Sequence, residues 1–176
     1  MSFYQSLAKY GAKYVGEARL FKYGFNLSPM YRRSTARIQT VSDDLLQVSV
    51  RLPLSYKNMN YVGTIFGGSM FSALDPIPMV QLINLIGDDY VVWDKSAQII
   101  FKRPAREHLY ARFSYTTEEL EQIKARVATE KEIDIVKITR LTDKAGTTTF
   151  CEVHKTIYVA DKAHYRAKRE ARSRAK

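Results

Sequence analysis

The sequence predicts an α+β domain in which a six-stranded antiparallel sheet wraps around one central helix. Six stretches alternate apolar and polar residues with the period of two that is typical of strands facing a core. One stretch, residues 67–86, is apolar on most sides, which indicates a helix enclosed by other elements. No internal repeat and no break in composition divides the chain before residue 161, so we predict one domain over residues 1–160, with its core at 35–160.

Residues 1–24 are predicted to form an additional N-terminal amphipathic helix. Apolar side chains recur there at steps of three and four, with basic residues between them. The sequence Asn-Leu-Ser-Pro at 26–29 is expected to end this helix. Such a helix usually packs on its own domain, and binding to a membrane surface is the alternative.

A hairpin and then the central helix are predicted next. Two alternating runs, 36–40 and 46–52, flank the turn signal Ser42-Asp43-Asp44. A loop over 53–65 leads into the apolar helix. Pro76 and Pro78 each remove a backbone donor and clash one turn back, so we expect a kink near Asp75 that redirects its carboxylate.

The second half of the chain is predicted to supply four strands and one short helix. The strands lie at 90–103, at 109–115 and on both sides of the turn at 143–146, and the helix spans 117–128 with Thr117 as its N-cap. In the strand at 90–103, alternation predicts Trp93, Ile99 and Phe101 on one face and Asp94 on the other. Because exposed edge strands commonly pair with a second chain, we expect a homodimer or a tetramer.

The charge of the chain lies at its two ends. Residues 1–37 carry seven basic residues and one acidic residue, residues 161–176 carry seven and two, and the middle carries fourteen and fifteen, so the net charge of +10 divides as +6, +5 and −1. The last segment is predicted to be a solvated basic tail, with nucleic-acid or membrane binding as the alternative. No nucleic-acid partner is expected, because the middle lacks interleaved basic and aromatic residues.

Other classes of protein are disfavoured by simple absences. No run of about 18 apolar residues predicts a membrane span, no signal peptide is evident, and one free cysteine suits a cytoplasmic protein. His108, Cys151 and His154 have no acidic residue at a spacing that suggests a triad, and no two histidines lie at metal-ligand spacing, so the sequence does not support nucleophile or zinc chemistry. No cofactor is expected.

The stretch from Asn60 to Asp75 has the residues of a reactive site. Gly67 and Gly68, at the start of the central helix, permit close approach of a ligand, and the first amides of a helix can polarise a carbonyl. Asp75 lies seven residues after Gly68, about 10 Å along the axis. In a symmetric dimer, however, the carboxylate of one subunit can face the helix start of the other.

The pattern Asn-x-x-Gly-Thr-x-x-Gly-Gly-x-x-Phe-Ser-x-x-Asp at 60–75 resembles the signature of PaaI-type thioesterases, a branch of the hotdog superfamily. The stretch 97–106, with Arg-Pro-Ala at 103–105, is similar to a strand and turn of the same family. The likeness covers residues 35–160 and is nearest to an uncharacterised branch.

The resemblance implies a hotdog fold and hydrolysis of acyl-coenzyme A or another acyl thioester. Asn60 would orient water or substrate, the Gly68 amide would polarise the thioester carbonyl, and Asp75 would attack it or activate water. The central helix is expected to line an apolar acyl pocket through Met70, Phe71 and Leu74. The expected substrate-binding residues are Gly67, Thr64, Phe66, Phe71 and Arg103.

Two features keep another interpretation open. Phe66 stands where the family usually has histidine, and the two prolines adjoin Asp75. A non-catalytic hotdog module that binds an acyl chain or mediates assembly is therefore the alternative to an enzyme. Asn60 has a second interpretation as a turn cap, and Arg103 and Arg106 are either surface residues or ligands for the phosphates of coenzyme A.

Overall fold

A computed structural model describes residues 16–174 of the chain. The first fifteen residues of the predicted N-terminal helix lie outside this range. The helices are α1 Glu17–Leu27, α2 Pro29–Arg32, α3 Gly67–Leu74, α4 Pro76–Ile86, α5 Thr117–Glu130 and α6 Lys162–Arg174. The strands are β1 Arg37–Val41, β2 Gln47–Leu52, β3 Tyr90–Phe101, β4 Leu109–Ser114, β5 Glu132–Thr142 and β6 Thr149–Asp161.

The six strands form one antiparallel sheet in the order β1-β2-β4-β5-β6-β3. The prediction of a hotdog fold is confirmed: the sheet carries its apolar side chains on the face that packs against the central helix. Strands β4 and β5 pair through only Tyr110 and Thr142, so the sheet opens between them.

The two edges of the sheet differ. On β1, the Asn26 side chain donates to the Ile38 carbonyl and accepts from the Ile38 amide, both at 2.9 Å, so α1 satisfies part of this edge. The other edge, β3, is twelve residues long, and Trp93 and Phe101 on it are exposed. The outer edge of a strand of this length is a surface to which another strand can add.

The central helix is divided at Asp75, as the prolines predict. Helix α3 ends at Leu74 and α4 begins at Pro76, because Pro76 has no amide hydrogen to donate to the Ser72 carbonyl. The core divides nearby. One apolar cluster contains Leu74 and the other contains Leu82.

The predicted faces of β3 are wrong at Trp93 and Asp94, because Trp93 pairs with Tyr158 on the face away from Ile99. A β-bulge between Asp94 and Ser96 leaves Lys95 as an extra residue in the ladder with β6. Asp94 therefore pairs with Ile157 and lies on the core side of the sheet, on the same face as Ile99, which pairs with Val153. The alternation rule fails because one unpaired residue exchanges the two faces of a strand.

Two helix boundaries also differ from expectation. The N-cap of α5 is Thr116, whose hydroxyl accepts from the Glu119 amide at 3.1 Å, so the prediction of Thr117 is wrong by one residue. The predicted basic tail is helical over Lys162–Arg174, and its Tyr165 ring lies 5.2 Å from Trp93 in an edge-on contact.

Within residues 16–174, the stretch Gly67–Ile86 is long and apolar enough to cross a membrane by length and composition alone. Half of its most apolar window is buried in the domain, as expected of a core helix.

Candidate functional site

Two aromatic rings cover the start of the central helix. A Cβ added at Gly67 would lie 2.7 Å from the Phe101 ring, and one added at Gly68 would lie 2.3 Å from the Phe66 ring. Both distances are shorter than real contacts allow, so a side chain at either position would require the ring above it to move. Phe66 and Phe101 are themselves 57% and 55% exposed, which leaves an apolar surface around the helix start.

The first two amides of α3 remain available to a ligand. The Ser69 and Met70 amides both donate to the Phe66 carbonyl, at 3.0 and 3.1 Å. Among the described residues, no hydrogen bond engages the amide of Gly67 or Gly68. Free amides at a helix start carry partial positive charge and can hold a developing oxyanion.

The preceding loop is held by Asn60. Its side-chain oxygen accepts from the Thr64 and Val62 amides at 3.0 and 3.2 Å, and its amide nitrogen donates to the Thr64 hydroxyl at 2.8 Å. Thr64 is 4% exposed. In this structure both side chains therefore fix the loop that leads to Phe66, which is the turn-capping interpretation of Asn60.

Asp75 contacts a lysine that the sequence patterns did not single out. The Asp75 carboxylate forms an ion pair with the Nζ of Lys155, and the same nitrogen lies 3.0 Å from an oxygen of Asp94. The Lys155 side chain is 4% exposed, whereas that of Asp75 is 38% exposed. We call these three residues the carboxylate–lysine cluster. A carboxylate partly open to solvent and held from behind by a buried cation has a fixed direction.

Asp94 is the member of the carboxylate–lysine cluster whose ionised form is disfavoured by burial. Burial raises the pKa of its carboxyl, Lys155 opposes that rise, and the neighbouring Asp75 charge adds to it. Its second oxygen is buried with no hydrogen-bond partner among the described residues. One cation is thus shared by two carboxylates, which favours proton uptake at this position.

Lys155 could have been found from the sequence. The predicted strand was defined by Val153, Ile157 and Val159, and strict alternation places residue 155 on the same inward face. A lysine among inward positions of a strand requires a buried counter-charge. Asp94 gave no comparable signal, because its inward position depends on the bulge.

The predicted site residues form two groups in one chain. Phe66, Gly67 and Gly68 lie together at the helix start. Asp75 lies at the opposite end of α3, and the Phe71 ring there is 5.7 Å from the Lys155 nitrogen. Arg103 is exposed on the turn after β3, two residues beyond Phe101 and therefore nearer the first group.

The predicted acyl pocket is not open in a single chain. Met70 and Leu74 are 3% and 1% exposed and belong to the core, and Phe71 is only partly buried. Within the described range, no group of three His, Cys, Asp or Glu side chains could hold a metal ion.

Solved structures with this fold include several thioesterases. A protein of unknown function from Pseudomonas aeruginosa, described as a probable thioesterase, is 19% identical with a TM-score of 0.70, over 81% of this chain and 95% of that one. A thioesterase from Haemophilus influenzae is 12% identical with a TM-score of 0.57, over 82% and 90%. A mutant thioesterase from Pseudomonas aeruginosa is 13% identical with a TM-score of 0.57, over 80% and 92%. At these identities the likeness establishes the fold alone.

Sequence comparison gives the family. No curated protein matches the chain. The profile of a domain of unknown function, DUF4442, matches residues 17–159, which includes the loop at Asn60, the helix start and all three members of the carboxylate–lysine cluster. The chain therefore belongs to the DUF4442 family.

Proposed function

We propose that this protein hydrolyses acyl thioesters, with acyl-coenzyme A as the substrate and Asp75 as the general base. The single observation that carries the proposal is the position of Asp75. Its carboxylate lies at the break of the central helix, with one oxygen against the buried Lys155 and no hydrogen bond among the described residues to the other. The second oxygen is then free to orient a water molecule.

The proposed reaction needs only groups of this chain. Asp75 accepts a proton from water as the water oxygen bonds to the thioester carbonyl carbon. The Gly67 and Gly68 amides hold the resulting oxyanion. The carbon–sulfur bond then breaks, and the proton on Asp75 passes to the leaving thiolate, which restores the carboxylate. A thioester is activated enough that no cofactor or metal is required.

Two copies of the chain are required for this arrangement. Asp75 and Gly68 lie seven residues apart on one helix, about 10 Å along the axis, so they cannot contact the same carbonyl group. We propose that the open β3 edge pairs with β3 of a second copy. The helix start of one subunit then faces the Asp75 of the other, and Phe66 and Phe101 line the acyl pocket between them.

The first experiment measures acyl-coenzyme A hydrolysis by the purified protein and its Asp75→Asn and Asp75→Ala variants. We expect kcat to fall at least about 100-fold in both, because the general base is lost. Asp89→Asn, an exposed carboxylate beyond the end of α4, is the control and should retain activity. Full activity in both Asp75 variants would show that the assigned mechanism is wrong.

A non-catalytic acyl-binding module is the second candidate. It is favoured by the Phe66 ring, which lies against Gly68 where the oxyanion site would form. Saturable binding of acyl-coenzyme A without turnover, in the unmodified protein and in Phe66→His alike, would support this candidate. Turnover that rises in Phe66→His would instead indicate that the aromatic ring limits a catalytic site.

A further inference from the structure

A second surface, away from the carboxylate–lysine cluster, is built to receive negative charge. A groove runs between the segment that joins α2 to β1 and the loop that follows β2. Four basic side chains line it, and no acidic residue does. We call it the arginine groove, and its cations are Arg32, Arg33, Arg37 and Lys57.

The cations of the arginine groove have no counter-charge among the residues that the structure describes. Within residues 16–174, none of the four forms an ion pair with a carboxylate. Arg37 lies directly across the β1–β2 ladder from Arg51, whose Nε is buried with no hydrogen-bond partner. Like charges in opposed positions destabilise a sheet. An anion bound in the groove would offset this repulsion.

Two hydroxyl groups in the arginine groove have a hydrogen to donate. The Thr35 hydroxyl accepts from the Asn58 side chain at 2.7 Å, and the Ser55 hydroxyl accepts from the Lys57 amide at 3.3 Å. Because each oxygen already accepts within the protein, its hydrogen can point outward. Guanidinium groups and outward hydroxyl donors together match the oxygens of a phosphate group.

An exposed aromatic ring stands beside these cations. Tyr56 also lines the groove and is 84% exposed, and the Lys57 nitrogen lies 5.7 Å from the centre of its ring. A solvent-exposed ring next to phosphate-binding groups is suited to stacking against a nucleotide base. Free phosphate would leave this ring unused.

The arginine groove is connected to the helix start by one buried residue. The Asn58 side chain donates to Thr35 and to the Pro53 carbonyl and accepts from the Ser55 amide. The backbone carbonyl of Asn58 accepts from the amide of Phe66, the residue before Gly67, at 2.8 Å. Tyr31, beside the groove, contacts the other end of α3, because its buried hydroxyl donates to the Ala73 carbonyl.

The wall of the groove is also held in a costly conformation. Thr35 has φ of 67°, a left-handed value that β-branched residues rarely adopt. Ser34 supports this turn, since its hydroxyl donates to the Tyr31 carbonyl and accepts from the Ala36 amide. These contacts hold the backbone at Thr35, and the hydrogen bond from Asn58 holds its hydroxyl in the groove.

We propose that the arginine groove binds the 3′-phosphoadenosine diphosphate part of acyl-coenzyme A, with its arginines and Lys57 on the phosphates and Tyr56 against the base. The choice of coenzyme A as carrier rests on the proposed function, but the binding of nucleotide does not. Binding there makes coenzyme A, rather than a carrier protein, the thiol that this protein recognises.

The binding test uses adenosine 3′,5′-bisphosphate as the probe in calorimetry with the full chain. We expect Arg33→Glu/Lys57→Glu to weaken binding at least about tenfold, because two phosphate contacts become repulsive. Tyr56→Ala should weaken the bisphosphate at least about fivefold and leave pyrophosphate binding unchanged, because pyrophosphate has no base to stack. Arg166→Glu/Arg169→Glu on the exposed face of α6 changes the charge equally and should have no effect.

Four results of this test would overturn the proposal. One is absence of bisphosphate binding in the unmodified protein. Another is an equal loss in the groove variant and the α6 variant, which would indicate non-specific attraction to a basic protein. The third is a loss in Arg103→Ala/Arg106→Ala instead, which would place the phosphates on the turn after β3. The fourth is tighter binding of a ten-residue oligonucleotide than of the bisphosphate, which would indicate that the groove binds single-stranded nucleic acid and not coenzyme A.

A kinetic test separates the groove from the reaction. In Arg33→Glu/Lys57→Glu, KM for acyl-coenzyme A should rise about tenfold at unchanged kcat, while KM for the same acyl group on pantetheine should not change, because pantetheine lacks the nucleotide. Equal changes for both substrates would contradict the proposal. If Asp75 proves dispensable, the proposed mechanism fails while bisphosphate binding still decides the groove.

Discussion

Two lysines lie side by side on the inner face of the sheet and have different uses. Lys137 on β5 pairs directly with Lys155 on β6, so both side chains point to the same side. Two like charges in this position repel each other, and each therefore needs a carboxylate of its own.

Lys137 closes a gap in the sheet. Its nitrogen lies 2.8 Å from Glu119 in the first turn of α5, donates to the Ser114 carbonyl at the end of β4, and stands 4.1 Å from the centre of the Tyr115 ring. It thus bridges β4 and β5 at the end of β4, away from Tyr110 and Thr142, which form the one backbone pair between these strands. All of its partners belong to regular elements or their ends.

Lys155 instead contacts two carboxylates that lie at irregular points of the backbone. Asp75 comes from the break between two proline-limited helices, and Asp94 comes from a strand bulge. The Asp75 side chain remains open to solvent on one side, whereas Glu119 has its two oxygens on Lys137 at 2.8 and 2.9 Å. Lys155 therefore leaves one carboxylate oxygen of Asp75 without a partner among the described residues, whereas Lys137 occupies both oxygens of Glu119.

The largest effect is expected from removal of the buried cation. Lys155→Met should lower the free energy of unfolding by about 3 kcal/mol, the low end for breaking a buried pair, because both carboxylates keep some exposure. Lys137→Met should cost only about 1–2 kcal/mol. Urea unfolding measures both. Thioester hydrolysis should be lost in the first variant and retained in the second.

A triple variant sharpens this difference. Lys155→Met/Asp75→Asn/Asp94→Asn removes both carboxylates together with the cation and should recover most of the lost stability without recovering activity. A triple variant as unstable as Lys155→Met would mean that the loss does not come from carboxylates left without their cation.

The sequence was sufficient for the architecture because the large elements are regular. The inward residues of β6 and the all-round apolar helix follow periods of 2 and 3.6, and these periods predicted the sheet and its central helix. The break at Asp75 was equally accessible, since proline excludes a helical hydrogen bond wherever it stands. What these signals predict is local, and the six-stranded sheet confirmed them.

The carboxylate–lysine cluster was only partly predictable. Asp75 was named from a motif, and the charge of Lys155 on an inward face could have been noticed. The position of Asp94 depends on Lys95 being skipped in the ladder, and no residue type marks a bulge of that kind. The Asn60 side chain was expected to orient water or substrate or to cap a turn, and its hydrogen bonds to Val62 and Thr64 depend on a loop that periodicity does not describe.

A smaller effect is expected from the helix that carries Glu119 to Lys137. Thr116→Ala removes the N-cap of α5 and should cost about 1 kcal/mol. Thr117→Ala, one residue further along, should cost almost nothing, because Thr117 is exposed and its hydroxyl makes no cap. Thermal unfolding of the two variants checks this. A larger loss in Thr117→Ala than in Thr116→Ala would show that α5 begins one residue later than the structure places it.

The smallest effect is a pH trend at the Lys155 side of the comparison. Burial raises the pKa of Asp94, so the folded protein keeps that proton to higher pH than the unfolded chain does, and ionisation of Asp94 costs stability as the pH rises through the folded pKa. The stability of Asp94→Asn relative to the unmodified protein should therefore increase between about pH 4 and about pH 7.

Asp143 is the control of opposite sign, because hydrogen bonding from Thr147 lowers its pKa and its ionised form stabilises the fold. Because that stabilisation is complete above the ordinary carboxyl pKa, the relative stability of Asp143→Asn should stay constant over this range and rise only as the pH falls below about 4. Urea unfolding at several pH values measures both trends, and parallel trends in the two variants would mean that Asp94 is not held by burial against Lys155.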